Sequence, residues 1–141
     1  MEEKILFVDD DPNILSAYQR QLRKQFTVDT ALGGVLGLTA IANHGPYSVI
    51  VADMGMPGMN GVQFLSKVKE IAPDSVRMML TGNADQQTAM DAINEGNIFR
   101  FLTKPCQPDI ITKVLIAGVE QYRLVTAEKE LLEKTLNGSV K

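Results

Sequence analysis

The feature that most constrains this chain is the order of its apolar runs. Five short runs, Lys4 to Val8, Thr27 to Ala31, Tyr47 to Asp53, Ser75 to Leu80 and Ile98 to Leu102, alternate with five stretches of helical periodicity. Strict alternation of strand and helix specifies an α/β fold with a parallel sheet and right-handed crossovers. The run Val49-Ile50-Val51-Ala52 has almost no polar alternation, as expected of a strand buried on both faces. Asp11 and Pro12 supply an N-cap and a first helical residue, after which Ile14, Tyr18 and Leu22 recur at four-residue spacing. A second helix over about Gly34 to Asn43 is opposed by Gly33, Gly34 and Gly37, each worth up to about 1 kcal/mol of lost propensity relative to Ala. Val62, Leu65 and Val68, with Phe64 and Ile71, form the stripe of a third. A fourth, about Asp85 to Glu95, has only Ala89, Met90, Ala92 and Ile93 as its apolar face.

From Pro108 onward the chain reads as one long helix. Ile111, Leu115, Tyr122, Val125, Leu132 and Leu136 fall on a heptad seam interrupted by Gly118 and Lys129. Its first half can cover a sheet, but no element remains to cover about Arg123 to Leu136.

At 141 residues the chain is long enough to bury roughly 68 to 70% of the surface its unfolded form exposes, so no staple is needed. A formal net charge of -3 argues against nucleic acid or an anionic membrane as the direct partner. One cysteine, Cys106, and one histidine, His44, exclude an intramolecular disulfide and a histidine-built metal site. The acidic opening Met-Glu-Glu-Lys and the short apolar run behind it fit neither a signal peptide nor a membrane span. The expectation is a soluble cytoplasmic protein.

The chemistry lies where the strands stop. In an open α/β sheet, ligands bind beyond the carboxyl ends of the strands. Those ends deliver Asp9 and Asp10 from the first strand, Asp53 from the third, Thr81 from the fourth and Lys104 from the fifth. Taken singly, each is ordinary turn or surface chemistry; Asp53 alone could simply cap its turn. Together they form a site. Three neighbouring carboxylates raise one another's pKa unless a cation joins them, and Mg²⁺ suits such a cluster because it shares carboxylate, water and phosphate oxygens. Asp53 is then a nucleophile able to form an aspartyl phosphate. Thr81 offers a hydroxyl donor and Lys104 a positive charge for the remaining phosphoryl oxygens.

The segments Phe7-Val8-Asp9-Asp10-Asp11, Val51 to Gly61, Leu80-Thr81-Gly82 and Phe101-Leu102-Thr103-Lys104-Pro105 resemble the receiver domain of bacterial two-component response regulators, over about residues 3 to 121. The resemblance implies a flavodoxin-like, doubly wound five-stranded parallel sheet in the order 2-1-3-4-5, a topology that general rules of α/β folds illustrate with a chemotaxis receiver. It implies that Asp53 accepts a phosphoryl group from a sensor histidine kinase or phosphotransfer protein. It assigns Mg²⁺ to Asp10 and Asp53, to Asp9 chiefly through water, and to the backbone carbonyl of Gly55. Thr81 and Lys104 would read the phosphoryl group, and Lys104-Pro105 would be a cis peptide. Thr81 and Phe101 would form the switch, the ring following the hydroxyl and altering the face of the fourth helix, fifth strand and final helix.

The same resemblance divides the chain into a receiver, 1–121, and a helical extension, 122–141. The tail Val125 to Lys141 resembles the linker to an HD-type phosphodiesterase output domain, which suggests an output domain beyond Lys141, and the uncovered heptad seam suggests a homodimer through the extension. No enzyme activity beyond self-phosphorylation and autodephosphorylation is expected. Two alternatives remain: a haloacid-dehalogenase-type phosphatase using Asp9, since Asp9-Asp10-Asp11 contains Asp-x-Asp, and a pseudo-receiver that is never phosphorylated.

Overall fold

A computed structural model describes residues 3–82, 87, 90, 98–104 and 107–140, with no account of the side chains of 137–140. The elements are β1 (Lys4–Asp9), α1 (Pro12–Leu22), β2 (Thr27–Leu32), α2 (Gly33–His44), β3 (Val49–Asp53), α3 (Gly61–Ile71), β4 (Val76–Thr81), β5 (Arg100–Thr103) and α4 (Pro108–Val140). The strands form one parallel sheet in the order β2-β1-β3-β4-β5. The expected flavodoxin-like topology is therefore present. Of the fourth helix expected over 85–95 only Gln87 and Met90 are described, both helical, and the expected cis Lys104-Pro105 bond lies outside the described residues.

Alternation along the strands builds two cores. Ile5 and Phe7 of β1, with Val49 and Val51 of β3, face Leu15 and Leu22 of α1 and Ile111 and Leu115 of α4. Leu6 and Val8, with Ile50 and Ala52, face Phe64, Leu65 and Val68 of α3 and the half-buried Leu38 and Ile41 of α2. Each strand thus serves both layers, which is why these runs read as continuously apolar.

The helix starts follow from local chemistry. Asp11 accepts the Asn13 amide at 2.9 Å and Pro12 opens α1. Asn60 and Gln63 form a reciprocal capping box at the start of α3. α2 forms despite its glycines because Gly34 and Gly37 are buried in its contact face, so packing outweighs propensity. β5 starts at Arg100, two residues later than the apolar run suggests. The Phe99 amide reaches the Arg77 carbonyl at 2.7 Å, and regular pairing begins only with Met78 opposite Arg100.

The heptad seam of the last helix proves to have two functions. Ile111, Leu115 and Val119 are core, and the half-buried Tyr122 still packs on it. Gly118 marks the tightest crossing: a Cβ there would lie 2.5 Å from Met78 Cε and 3.0 Å from Val49 Cγ2. Beyond it Leu124, Leu131, Leu132 and Leu136 are each more than half exposed. Two ion pairs still tie this part to the body, Arg123 to Glu3 at 2.8 Å and Lys129 to Asp74 at 3.1 Å.

Candidate functional site

All the strand-end residues singled out from the sequence converge on one edge of the sheet. β1 ends at Asp9, β3 at Asp53 and β4 at Thr81, while Lys104 follows β5 directly. Parallel register aligns these ends: Asp53 lies opposite Leu80, and Thr81 opposite Thr103. The Met54 amide donates to the Leu80 carbonyl and the Lys104 amide to the Thr81 carbonyl, each at 3.0 Å, so the loops leave the sheet in fixed directions.

Carboxylate oxygens of Asp9, Asp10 and Asp53 lie within 4.8 Å of one another. Asp9 and Asp53 are buried, with 3% and 7% of their surfaces exposed, whereas Asp10 is open. Lys104 Nζ sits 2.5 Å from Asp53 Oδ1 and 3.5 Å from Asp9 Oδ2. Burial opposes the charge on Lys104, but its hydrogen bond and attraction to Asp53, with Asp9 adding, hold the ammonium above its ordinary range. Burial and the neighbouring Asp53 carboxylate push Asp9 upward, although the Asp11 amide donates to Asp9 Oδ1 at 3.0 Å and opposes the shift.

One buried atom carries a specific message. Asp9 Oδ2 has no hydrogen-bond partner among the described residues. A buried carboxylate oxygen without a donor is costly, and three carboxylates here face a single lysine. An all-oxygen, net-negative pocket of this kind fits a hard divalent cation such as Mg²⁺.

Thr81 is fully buried, and its hydroxyl donates to the Gly82 carbonyl at 3.0 Å. Phe101 is half-buried against the core layer beneath α3, opposite Met79 of β4. Gly55 lies beside the Asp53 carboxylate: a Cβ on it would be 3.8 Å from Asp53 Oδ2. Two supports escaped the sequence reading. The Asp11 amide orients Asp9, and Gly61 lets α3 start against the end of β3, where a Cβ would lie 2.5 Å from the Asp53 carbonyl oxygen. The turn run Gly55 to Gly61 signals a tight connection, but not which glycine touches the strand.

A doubly wound sheet with acids, a hydroxyl and a lysine at its carboxyl edge defines a class of phosphoryl-handling switch. The comparisons name the family. Residues 5–116 match the response regulator receiver domain, and the chain belongs to that family. It is 34% identical over 120 residues to the hydrogenase transcriptional regulatory protein HoxA of Bradyrhizobium diazoefficiens, covering 85% of this chain and 24% of that protein. The chain thus spans about a quarter of the length of that relative. Among solved structures it is similar to a chain of adenylate cyclase from Rhodopirellula baltica, with a TM-score of 0.93 and 48% identity, covering 95% of this chain and 99% of that one. The signal receiver domain of an HD domain-containing protein from Pseudomonas fluorescens gives a TM-score of 0.81 at 27% identity, covering 87% and 98%.

The chain is a receiver domain of two-component response regulators, a signalling switch. The phosphatase and pseudo-receiver alternatives find no support. Asp9, the nucleophile the phosphatase would need, is the more deeply buried acid and has one oxygen held by the Asp11 amide. The pseudo-receiver would have lost an acidic pocket that is complete here. No helix among the described residues is long and apolar enough to cross a membrane.

Proposed function

We propose that Asp53 is the phosphoacceptor. The observation that carries this reading is the Lys104 ammonium held against Asp53 Oδ1 while a second buried acid, Asp9, lacks a hydrogen-bond partner for Oδ2. One oxygen of Asp53 attacks the phosphorus of a phosphohistidine. The new O–P bond forms as the N–P bond breaks, and the imidazole leaves with the bonding pair and takes up a proton. Asp9, Asp10, Asp53 and the Gly55 carbonyl are the groups that would hold Mg²⁺. When bound, this ion offsets the pocket's negative charge and that of the incoming phosphoryl group.

Lys104 is already charged and adjacent, so it passes from Asp53 Oδ1 to a phosphoryl oxygen without a proton transfer. The Thr81 hydroxyl exchanges the Gly82 carbonyl for another phosphoryl oxygen. Its movement opens space beside β5 into which Phe101 turns, shifting a two-state equilibrium on the β5 and α4 face.

Residues 1–121 carry this chemistry and 122–141 carry the signal outward, in the cytoplasm, to an output domain beyond Lys141. The exposed leucines of α4 support a homodimer through this extension. An HD-type phosphodiesterase is one candidate output, in keeping with the likeness to the receiver of an HD domain-containing Pseudomonas protein, and a transcriptional output like that of HoxA is another.

Intact mass after incubation with Mg²⁺ and acetyl phosphate tests the reading. One base-labile phosphoryl group is expected on the native protein, none on Asp53→Asn, and a residual amount on Asp9→Asn. Labelling that survives in Asp53→Asn at the native level contradicts it.

A further inference from the structure

α2 meets the segment that follows β3 through two buried glycines. A Cβ on Gly34 would lie 2.7 Å from Met59 Sδ and 3.2 Å from both Met59 Cβ and Cγ. A Cβ on Gly37, one turn further along, would lie 2.8 Å from Phe64 Cε1 and 3.1 Å from Val8 Cγ2. Each glycine is thus the seat of a side chain. Helix propensity alone favours Ala at both positions, so the missing methyl groups answer to packing. Gly34 and Met59 also line one groove with Asp10, a member of the acidic cluster, which puts their contact at the margin of the site.

Met59 belongs to the loop that carries Gly55. The loop leaves β3 at Asp53 and enters α3 at Gly61. Its ends are joined, because the Gly61 amide donates to the Met54 carbonyl at 3.0 Å. Between them Gly58, at φ 79°, makes a γ-turn in which the Met59 amide donates to the Pro57 carbonyl at 3.0 Å. Buried Met56 and half-buried Met59 both hold the loop to the core layer beneath α2 and α3. A loop closed at its neck and pinned by two side chains transmits a shift of Met59 to Gly55, which sits beside Asp53 Oδ2. The thioether sulfur can swing away from a methyl at position 34, but Met59 Cβ moves only with the backbone. α2 withdraws only by opening the contact of Gly37 with Phe64 and Val8.

We infer that Gly34 is a positioning residue for the metal site: through Met59 it sets where the Gly55 carbonyl stands beside Asp53. The inference rests on the Gly55 carbonyl being among the groups that hold Mg²⁺. A double-mutant cycle of Gly34→Ala and Met59→Ala in the full chain tests it. Mg²⁺ affinity is read by calorimetric titration, the loop by the Gly55 amide NMR resonance, and folding by thermal melts. Gly34→Ala displaces Met59, and Met59→Ala leaves its seat empty. Each single variant is expected to weaken Mg²⁺ binding by on the order of tenfold. In the double variant the new methyl occupies space that the thioether vacates, and affinity should return to within about threefold of native. The Gly55 resonance should move in both single variants and return in the double. Saturating Mg²⁺ should restore the acetyl phosphate labelling rate of each single variant.

Native Mg²⁺ affinity in a folded Gly34→Ala overturns the inference, as does a loss that the double variant keeps. Affinities that simply follow the melting temperatures of the three variants overturn it too. If Gly34→Ala does not fold, the other two variants decide: a double variant that binds Mg²⁺ no better than Met59→Ala contradicts the inference. A native chain that takes up neither Mg²⁺ nor phosphoryl group removes the site reading and the inference with it, whereas a native chain that takes up both isolates the role of Gly34.

Discussion

Asp9 shows how a single residue can be placed for function at the expense of stability. Its Oδ2 is buried without a hydrogen-bond donor, and burial together with Asp53 raises its pKa. Asp9→Asn should therefore stabilise the metal-free protein, by about 1 to 2 kcal/mol, because an amide removes one charge from the cluster. It should also abolish most of the rise in melting temperature that millimolar Mg²⁺ gives the native chain. Thermal melts with Mg²⁺ or with a chelator check both halves; a destabilised, still Mg²⁺-responsive variant would contradict them. Tyr47 is the opposite case, a purely structural polar group. It is fully buried, and its hydroxyl donates to Asp29 Oδ2 at 2.6 Å. Burial first, then the hydrogen bond and charge of Asp29, raise the phenol well above its ordinary value of 10.0. The unfolded chain loses this proton near pH 10 while the folded one keeps it. Its stabilising contribution is whole below pH 10 and is lost as pH rises above it. Phenolate absorbance should show a late step that coincides with alkaline unfolding, and its amplitude should fall by one tyrosine in Tyr47→Phe, the raised Tyr122 remaining.

Among the elements, legibility followed burial. β1 and β3 were plain in the sequence because both of their faces are covered, leaving uninterrupted apolar runs. α2 was obscured by its glycines, whose value lies in packing against other elements that a one-dimensional pattern does not show. The last helix was read correctly as continuous, but its heptad spacing hid a change of role. Up to Tyr122 the seam faces the sheet, while at Lys129 it holds an ion pair to Asp74. Exposed pairs of this kind contribute only about 0 to 1 kcal/mol, so they orient the helix more than they stabilise the domain. A chain ending at Lys129 should then unfold within about 0.5 kcal/mol of the full one. It should sediment as a monomer at concentrations where the full chain self-associates. Equal self-association of the two would remove the extension from the dimer.

At the scale of the whole molecule, the site was readable because parallel topology turns sequence order into spatial convergence. Five residues scattered from Asp9 to Lys104 needed only the assumption of one sheet edge to become neighbours. The supporting contacts, such as the Asp11 amide on Asp9 and the approach of Gly61 to Asp53, depend on loop geometry that residue types alone do not specify. So does the seat that Gly34 offers Met59, whose only sequence sign is a glycine inside a helix. The account turns on which carboxylate carries the phosphoryl group. Borohydride reduction of the acetyl phosphate-treated chain, followed by peptide mass mapping, converts an acyl phosphate into an alcohol at the labelled residue. The alteration should fall at position 53 and require Mg²⁺. Its appearance at Asp9 or Asp10 instead, or a modified position 53 with Mg²⁺ chelated, would contradict the account.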